Sequence, residues 1–264
     1  PQRVMRQIIE KGADVTVAAL PVRIEEASQF GVVEVDSDWR IVGFDEKPSQ
    51  PKSIPGEPDS ALVSMGNYLF NTDTVIEALK QDAKLESSNH DFGRDILPSL
   101  TSEKAVYAYD FRKNRVPSTQ KGEEPSYWRD IGTIEAYYEA NIDLCSVDPS
   151  FNLYNRGWPL RTTDFGDPPA KFVFDWFDRK GMALDSIVSQ GTIISGSVVK
   201  NCVVGRNVRI HSYSQIEGSV IMDWAEIGRG CKIRRAIIDK SNVIPPGTEI
   251  GYNIEQDRQR YFVS

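Results

Sequence analysis

The feature that most constrains this chain is a run of isoleucine and valine residues spaced five or six positions apart. The positions are 187, 193, 198, 204, 210, 216, 221, 227, 233, 238, 244 and 250, and all twelve are Ile or Val. A strand alternates every two residues and an α-helix turns every 3.6, so neither period produces this spacing. A six-residue apolar repeat is typical of a left-handed parallel β-helix, in which each step forms one face of a triangular coil. We therefore expect these side chains to point inward, with Gly196, Gly205, Gly228 and Gly251 where the chain turns corners.

The first part of the chain has a different pattern, in which strands and helices alternate. Apolar runs predict strands over 14–20, 31–36, 40–44, 62–70 and 105–111, and helices that begin near residues 72 and 133. Such alternation favours an α/β domain over an all-β fold. Prolines and aromatic residues between the two patterns predict a packed connector, not a flexible linker. The sequence thus predicts an α/β domain over 1–146, a connector over 147–184 and a β-helix over 185–264.

Composition excludes several classes of protein. The chain has 31 basic and 38 acidic residues, a net charge of −7, which argues against nucleic acid as a partner but still permits a small anionic ligand. Its three cysteines show no C-x-x-C spacing, so we expect neither a zinc site nor a disulfide framework, and a reducing cytoplasm fits best. No apolar run is long enough to span a membrane. The chain opens in a helical pattern without an initiator Met or a signal peptide, so we expect it to begin inside a domain.

The segment Phe44-Asp-Glu-Lys-Pro48, at the end of an expected strand, could carry chemistry. Glu46 can accept hydrogen bonds from sugar hydroxyls, and Lys47 is a compact cation that suits a phosphate. Pro48 would fix the backbone directly after both. A solvated Glu–Lys pair at a strand end explains the same charges without any function, so both interpretations stay open.

Four other positions carry similar alternatives. The glycine of Ser64-Met-Gly-Asn67 marks either the close approach of a ligand or a simple bulge in a strand. Asp91 could do no more than cap the helix that follows it. Asp130 could bind a hard cation or interact with the N-terminus of the next helix. His211 is either the base of an acyl-transfer site or an outward surface histidine.

Taken together, these motifs resemble the glucose-1-phosphate adenylyltransferases, also called ADP-glucose pyrophosphorylases, of the bacterial glycogen-making type. The motifs are Arg23-Ile-Glu-Glu-Ala-Ser28, Phe44-Asp-Glu-Lys-Pro48, Ser64-Met-Gly66, His90-Asp-Phe-Gly93, Tyr127-Trp-Arg-Asp-Ile-Gly-Thr133 and Gly196-Ser-Val-Val199, in that order. The resemblance covers essentially the whole chain. It implies a Rossmann-like nucleotidyltransferase domain before the β-helix, and a homotetramer. It also implies the reaction of ATP with α-D-glucose 1-phosphate to give ADP-glucose and pyrophosphate.

The resemblance also implies residue roles in the sugar-phosphate pocket. Lys47 would hold the phosphate of glucose 1-phosphate and Glu46 the glucose hydroxyls, while Gly31 and Ser64 would complete the pocket. The other implied roles lie at four further positions. Asp91 and Trp128 are additional candidates for the substrate pocket, Asp130 for binding Mg²⁺, and Lys240 for an allosteric site that takes phosphorylated effectors.

The chain departs from the family at its beginning. The family's glycine-rich nucleotide loop and first metal-binding Asp would precede Pro1, and residues 1–30 contain no glycine-rich phosphate cradle. We therefore expect a fragment that by itself does not make ADP-glucose. Two alternatives to the enzyme remain. One is a non-catalytic regulatory or scaffold subunit, and the other is a hexapeptide acyltransferase, which would leave the α/β part unexplained.

Overall fold

A computed structural model describes residues 2–117 and 126–264 of the chain. They divide into two units, Pro1–Arg115 and Val116–Ser264. The boundaries expected at residues 146 and 184 remain predictions. No helix within 2–117 and 126–264 is long and apolar enough to cross a bilayer.

The first unit is built on a five-stranded mixed sheet. Its strands are β1 (Val15–Arg23), β2 (Gly31–Val35), β3 (Ile41–Glu46), β4 (Ser60–Phe70) and β5 (Val106–Asp110). Their order in the sheet is β3-β2-β4-β1-β5, and β1 and β5 run parallel while the other neighbours are antiparallel. All five segments predicted as strands are confirmed, with small shifts at their ends.

Three helices accompany this sheet: α1 (Gln2–Lys11), α2 (Thr72–Asp82) and α3 (Leu97–Glu103). Short 3₁₀ turns cover Ala27–Gln29 and Phe111–Lys113, and a π turn covers Phe92–Ile96. The helix expected to begin near residue 72 is confirmed, but its larger apolar side chains are not on its buried face. Thr74 and Ala78 are buried, whereas Ile76 and Leu79 are 44% and 43% exposed. Thr74 and Ala78 are small and lie one helical turn apart, so this face of α2 can pack closely against the rest of the unit. The larger side chains of Ile76 and Leu79 then lie at the edge of the packed face.

The second unit contains α4 (Ile134–Asp143), a β-helix and a closing helix, α5 (Ile254–Arg260). The strands are β6 (Lys171–Val173), β7 (Asp175–Trp176), β8 (Arg179–Lys180), β9 (Met182–Leu184), β10 (Ile187–Val188), β11 (Ile193–Ser195), β12 (Val198–Lys200), β13 (Val203–Val204), β14 (Arg209–Ile210), β15 (Gln215–Glu217), β16 (Val220–Ile221), β17 (Glu226–Ile227), β18 (Lys232–Arg234), β19 (Ile237–Ile238), β20 (Val243–Ile244) and β21 (Glu249–Ile250). They form three parallel sheets, ordered β10-β13-β16-β19, β6-β11-β14-β17-β20 and β9-β12-β15-β18-β21, while β7 and β8 form a separate hairpin. The β-helix predicted from the six-residue repeat is thereby confirmed.

The inward register of the β-helix agrees with the repeat from position 204 onward but not before it. In the first coil the inward residues are one position later than expected, at Val188, Ile194 and Val199. Val198, predicted inward, is 37% exposed, whereas Val199 is fully buried. Each expected position here is followed by a second β-branched residue, so spacing alone cannot choose between them. Pairing with the next coil makes the choice, because Val199 lies opposite Ile216.

The corners of the coils recur once per turn as residues in the left-handed region. One such column consists of Gly196, Tyr213, Gly230 and Gly247, all with φ between 59° and 74°. Gly196 is thus confirmed at a corner, and Gly251 also has a positive φ of 81°.

Candidate functional site

The Glu46 side chain lies in a gap that two glycines keep open. Gly31 pairs with Glu46 across β2 and β3. A Cβ on Gly31 would lie 2.9 Å from Glu46 Oε2 and 2.9 Å from the Phe44 ring, and a Cβ on Gly93 would lie 3.0 Å from the same oxygen. Contacts this short are inside van der Waals separation, so both positions need glycine if Glu46 is to keep its place.

Glu46 is half-buried, yet no described residue makes a hydrogen bond or ion pair with its carboxylate. A partly desolvated carboxylate without partners is costly unless a ligand supplies donors. This gap is therefore suited to a polyhydroxylated ligand, whose hydroxyl groups can donate to both oxygens.

Lys47 follows at a sharp bend of the backbone. Its φ is 50°, and its N–H donates to the Phe30 carbonyl at 3.0 Å. A non-glycine residue in the left-handed region costs about 1–2 kcal/mol, and such strain is often found at ligand sites. The side chain is exposed, and no described carboxylate pairs with its ammonium group. Lys47 is thus an exposed cation that directly follows Glu46 in the chain and has no carboxylate partner among the described residues.

An aromatic cluster closes one side of this gap. The rings of Tyr68 and Phe92 stack at 5.8 Å, and Phe70 lies 6.3 Å from Tyr68 and 5.8 Å from Phe92. Burial raises the pKa of Tyr68 more than the hydrogen bond with Ser64 lowers it, and the charges of Glu46 and Asp91 raise it by smaller amounts. Tyr68 is therefore a protonated hydrogen-bond donor near both carboxylates.

Ser64 reaches this cluster through a bulge in β4. Val17 of β1 pairs with Tyr68, and Ala19 pairs with Ser64, so three residues of β4 face one residue of β1. Gly66 at the bulge has a φ of 69°, and its N–H donates to Ser64 Oγ at 3.2 Å. The bulge brings the Ser64 hydroxyl to 3.4 Å from the Tyr68 hydroxyl. The bulge interpretation of this segment is confirmed, and it also places Ser64 at the site.

Asp91 holds the π turn that follows it. Its Oδ1 accepts hydrogen bonds from the N–H groups of Gly93 at 2.8 Å and Arg94 at 2.9 Å. The capping role considered for Asp91 is thus confirmed. Because the cap fixes Gly93 against Glu46, Asp91 contributes to the shape of the gap whether or not it touches a ligand.

The segment before Asp91 is anchored to the end of α2. Asp82 accepts a hydrogen bond from Ser88 Oγ at 2.5 Å and contacts His90 Nδ1 at 2.7 Å. These two hydrogen bonds lower the pKa of Asp82.

The first unit therefore brings together Gly31, Glu46, Lys47, Ser64 and Asp91. Sequence reasoning assigned no role to Tyr68, Phe92 or Gly93. Ser64 and Tyr68 lie an even number of positions apart in β4, a spacing that puts side chains on the same face of a strand. This spacing is the one sequence signal that could have placed the two side chains together.

The other predicted site residues belong to the second unit. Trp128 is partly buried and Asp130 is exposed in the loop before α4, where Thr133 accepts a capping hydrogen bond from the Ala136 N–H at 3.1 Å. A Cβ on Gly132 would lie 3.1 Å from Asp130 Oδ2. Among the described residues no group of three or more side chains could hold a metal ion. A single exposed carboxylate still fits Mg²⁺, which commonly binds one or two carboxylates together with substrate phosphates and water.

Two residues of the β-helix complete the candidates. Lys240 is exposed at a corner after β19, and its N–H donates to Asp239 Oδ1 at 2.7 Å. His211 Nε2 lies 2.8 Å from Glu226 Oε1, and the His211 side chain is 41% exposed. His211 thus lies on the outer surface, as the second of its two interpretations expected.

Comparison with known proteins assigns the chain to a class. A nucleotidyl transferase family model matches residues 1–147, and a GlmU-like C-terminal hexapeptide model matches residues 168–264. The chain belongs to the nucleotidyl transferase family.

Curated relatives of the chain show a more specific similarity than the family models do. Proteins named glucose-1-phosphate adenylyltransferase are 52% identical in Anaeromyxobacter sp. (strain Fw109-5), 47% in Deinococcus radiodurans and 50% in Shewanella baltica (strain OS155), over 97%, 99% and 96% of this chain. The chain spans 62%, 63% and 59% of the length of these relatives. The resemblance drawn from the motifs is confirmed.

Proposed function

We propose that this chain is part of a glucose-1-phosphate adenylyltransferase, which converts ATP and α-D-glucose 1-phosphate into ADP-glucose and pyrophosphate for glycogen synthesis. The names of its relatives support this activity. One observation of the structure supports the sugar-phosphate part: Glu46 is a half-buried carboxylate that no described residue pairs with, two glycines flank it, and the next residue in the chain is the exposed cation Lys47.

The proposed pocket has complementary groups for both halves of its ligand. Lys47 attracts the phosphate, and Glu46 accepts hydrogen bonds from glucose hydroxyls. Gly31 keeps the space for Glu46, and the Ser64 hydroxyl and Tyr68 provide further polar contacts. Asp91 shapes the same gap, while Trp128 is a further candidate for the substrate pocket.

The reaction requires positioning more than acid or base catalysis. A phosphate oxygen of glucose 1-phosphate forms a bond to the α-phosphorus of ATP, and the bond from that phosphorus to the bridging β-phosphate oxygen breaks. Pyrophosphate leaves with the electron pair. Lys47 orients the attacking phosphate and offsets its charge. Asp130 would hold Mg²⁺, which when bound neutralises charge on the nucleotide phosphates.

Substitution of Lys47 tests the proposed pocket. Lys47→Gln replaces a charged donor with a neutral one, which should raise the Kd for glucose 1-phosphate by about 30- to 1,000-fold. Isothermal titration calorimetry on the chain measures this Kd, and in the whole enzyme KM for ATP should change far less. Lys84→Gln, at an exposed lysine outside the site, is the matched control and should bind like the parent.

The same titration separates the alternatives. Binding of acetyl-CoA without glucose 1-phosphate would favour an acyltransferase, and binding of neither would favour a scaffold subunit. Equal affinities for Lys47→Gln and the parent would place the sugar phosphate elsewhere.

We further propose that Lys240 belongs to an allosteric site for phosphorylated effectors. Its exposed ammonium at a β-helix corner supports this role. Lys240→Ala should blunt activation by a phosphorylated sugar and leave unstimulated turnover nearly intact. An unchanged activation constant together with unchanged maximal stimulation would remove Lys240 from that site.

Assembly and location complete the proposal. Exposed aromatic side chains between residues 158 and 177 support association into a homotetramer, namely Trp158, Phe172, Phe174, Trp176 and Phe177. Light scattering that shows a stable monomer at micromolar concentration would contradict it. Three free thiols support a cytoplasmic location, which cell fractionation would test.

A further inference from the structure

A cavity of about 430 Å³ lies in the first unit beside α1 and carries net positive charge. Four cationic side chains line it against the carboxylates of Glu10 and Asp38, and these four are Arg3, Arg6, Lys11 and Lys113. Lys11 is paired with Asp38. The Arg6 guanidinium has no partner within the described part of the chain. Uncompensated positive charge on a concave surface favours an anionic ligand.

Trp39 lines the same cavity in a strained conformation. It lies at the turn between β2 and β3 with a φ of 67°, a strained value that is rare for a bulky residue. The Lys113 ammonium lies 4.9 Å from the centre of its ring. The strained turn thus keeps an aromatic face and a cation together at the cavity wall.

Tyr109 adds a buried polar group. Its side chain is 4% exposed, and its hydroxyl makes no hydrogen bond of normal geometry with a described residue. Burial raises the pKa of this hydroxyl, and the nearby Arg3 guanidinium offsets only part of that increase. A buried hydroxyl without an acceptor is destabilising, and an oxygen atom of a ligand would supply the missing acceptor.

We propose that this cavity binds a phosphate-bearing small molecule, with the oxyanion held by Arg3, Arg6 and Lys113. Arg3 uses one N–H group to donate to the Lys113 carbonyl at 2.5 Å and also approaches the Tyr109 hydroxyl, and a guanidinium group carries further N–H donors for a ligand. A guanidinium group matches two phosphate oxygens at once, and an ammonium group adds a point charge. The cavity volume is sufficient for a small phosphate ester. None of its lining residues belongs to the pocket proposed for glucose 1-phosphate.

Calorimetric titration of the chain with inorganic phosphate tests this site. We expect saturable binding with a Kd at or below about 1 mM, and a Kd at least about 10-fold higher for Arg6→Ala because one charged bidentate contact is lost. Arg23→Ala is the matched control, since Arg23 is exposed and does not line the cavity. Circular dichroism of each variant checks that it is folded.

A second pair of titrations separates this site from the Lys47 pocket and from other anions. In a chain that already carries Lys47→Gln, Arg6→Ala should still raise the Kd for inorganic phosphate at least about 10-fold, and malonate should bind more weakly than phosphate. The proposal is overturned if phosphate shows no saturable binding, if Arg6→Ala and Arg23→Ala behave alike, or if Lys47→Gln abolishes the binding. Malonate binding as tight as that of phosphate would overturn the assigned ligand class.

Discussion

The exchange Gly31→Ala tests the most specific feature of the site. The added methyl group would lie 2.9 Å from both Glu46 Oε2 and the Phe44 ring, whereas heavy atoms in favourable contact are about 3.5–4.0 Å apart. The ring and the carboxylate must therefore move by about 0.5 Å or more. Phe44 is 7% exposed and has little room to move, so strain remains at its ring, while the more flexible carboxylate is displaced further.

Two effects of different size follow from this displacement. Overpacking should lower the free energy of unfolding by about 1–3 kcal/mol. If Glu46 loses one charge-assisted hydrogen bond to a sugar hydroxyl, binding weakens by about 1.5–3 kcal/mol, or about 10- to 150-fold in Kd for glucose 1-phosphate. Urea unfolding measures the change in the free energy of unfolding, and calorimetry measures the change in Kd for glucose 1-phosphate.

The chain supplies a close control in Gly43→Ala. Gly43 lies opposite Glu34 on the same pair of strands, and a Cβ there would be 3.0 Å from the Glu34 Cδ. Glu34 pairs with Lys52 and does not belong to the proposed pocket. Gly43→Ala should therefore lose comparable stability without losing affinity. Equal affinity losses in the two variants, or parent-like binding by Gly31→Ala, would refute the role of Glu46.

Three further predictions concern register, acid stability and thiol chemistry. Val199→Ala should cost about 1–3 kcal/mol in urea unfolding of the β-helix, and Val198→Ala should stay within about 0.5 kcal/mol; the reverse order would mean that the inward register is wrong. Because hydrogen bonding lowers the pKa of Asp82 below 3.8 in the folded state, its stabilising effect is present above that pH and is lost as the pH falls through the lowered value. The urea midpoint of the parent should thus fall more steeply below about pH 4 than that of Asp82→Asn, and parallel curves would contradict this. Burial raises the pKa of Cys202 to about 11, so its thiol should resist a disulfide reagent at pH 8 in the folded chain and react in urea; rapid labelling of the folded chain at Cys202 would show that it is accessible.

Much of the fold follows from local patterns in the sequence. The six-residue repeat alone determined the β-helix, because stacking of one apolar side chain per face requires that period and no other regular structure has it. The five strands of the first unit could also be located, since β-branched runs between turn residues carry their own signal. Within the β-helix, however, Val198 and Val199 suit an inward position equally well. Only hydrogen bonding to the next coil, where Val199 meets Ile216, decides between them.

In the candidate site, the features that the sequence predicts and those that only the tertiary structure decides are separated even more clearly. The sequence predicted which residues could carry useful chemistry, because Glu46 and Lys47 stand together before a proline in a motif that resembles the family's. That Gly31 and Gly93 both leave room for one oxygen of Glu46 was decided by the tertiary structure alone. These glycines lie 15 residues before and 47 residues after it in the chain. A glycine points to a site only when we know which neighbouring atom occupies the space that its side chain would take. Here that atom is Glu46 Oε2, and it can be identified only once the strands and the π turn are in place.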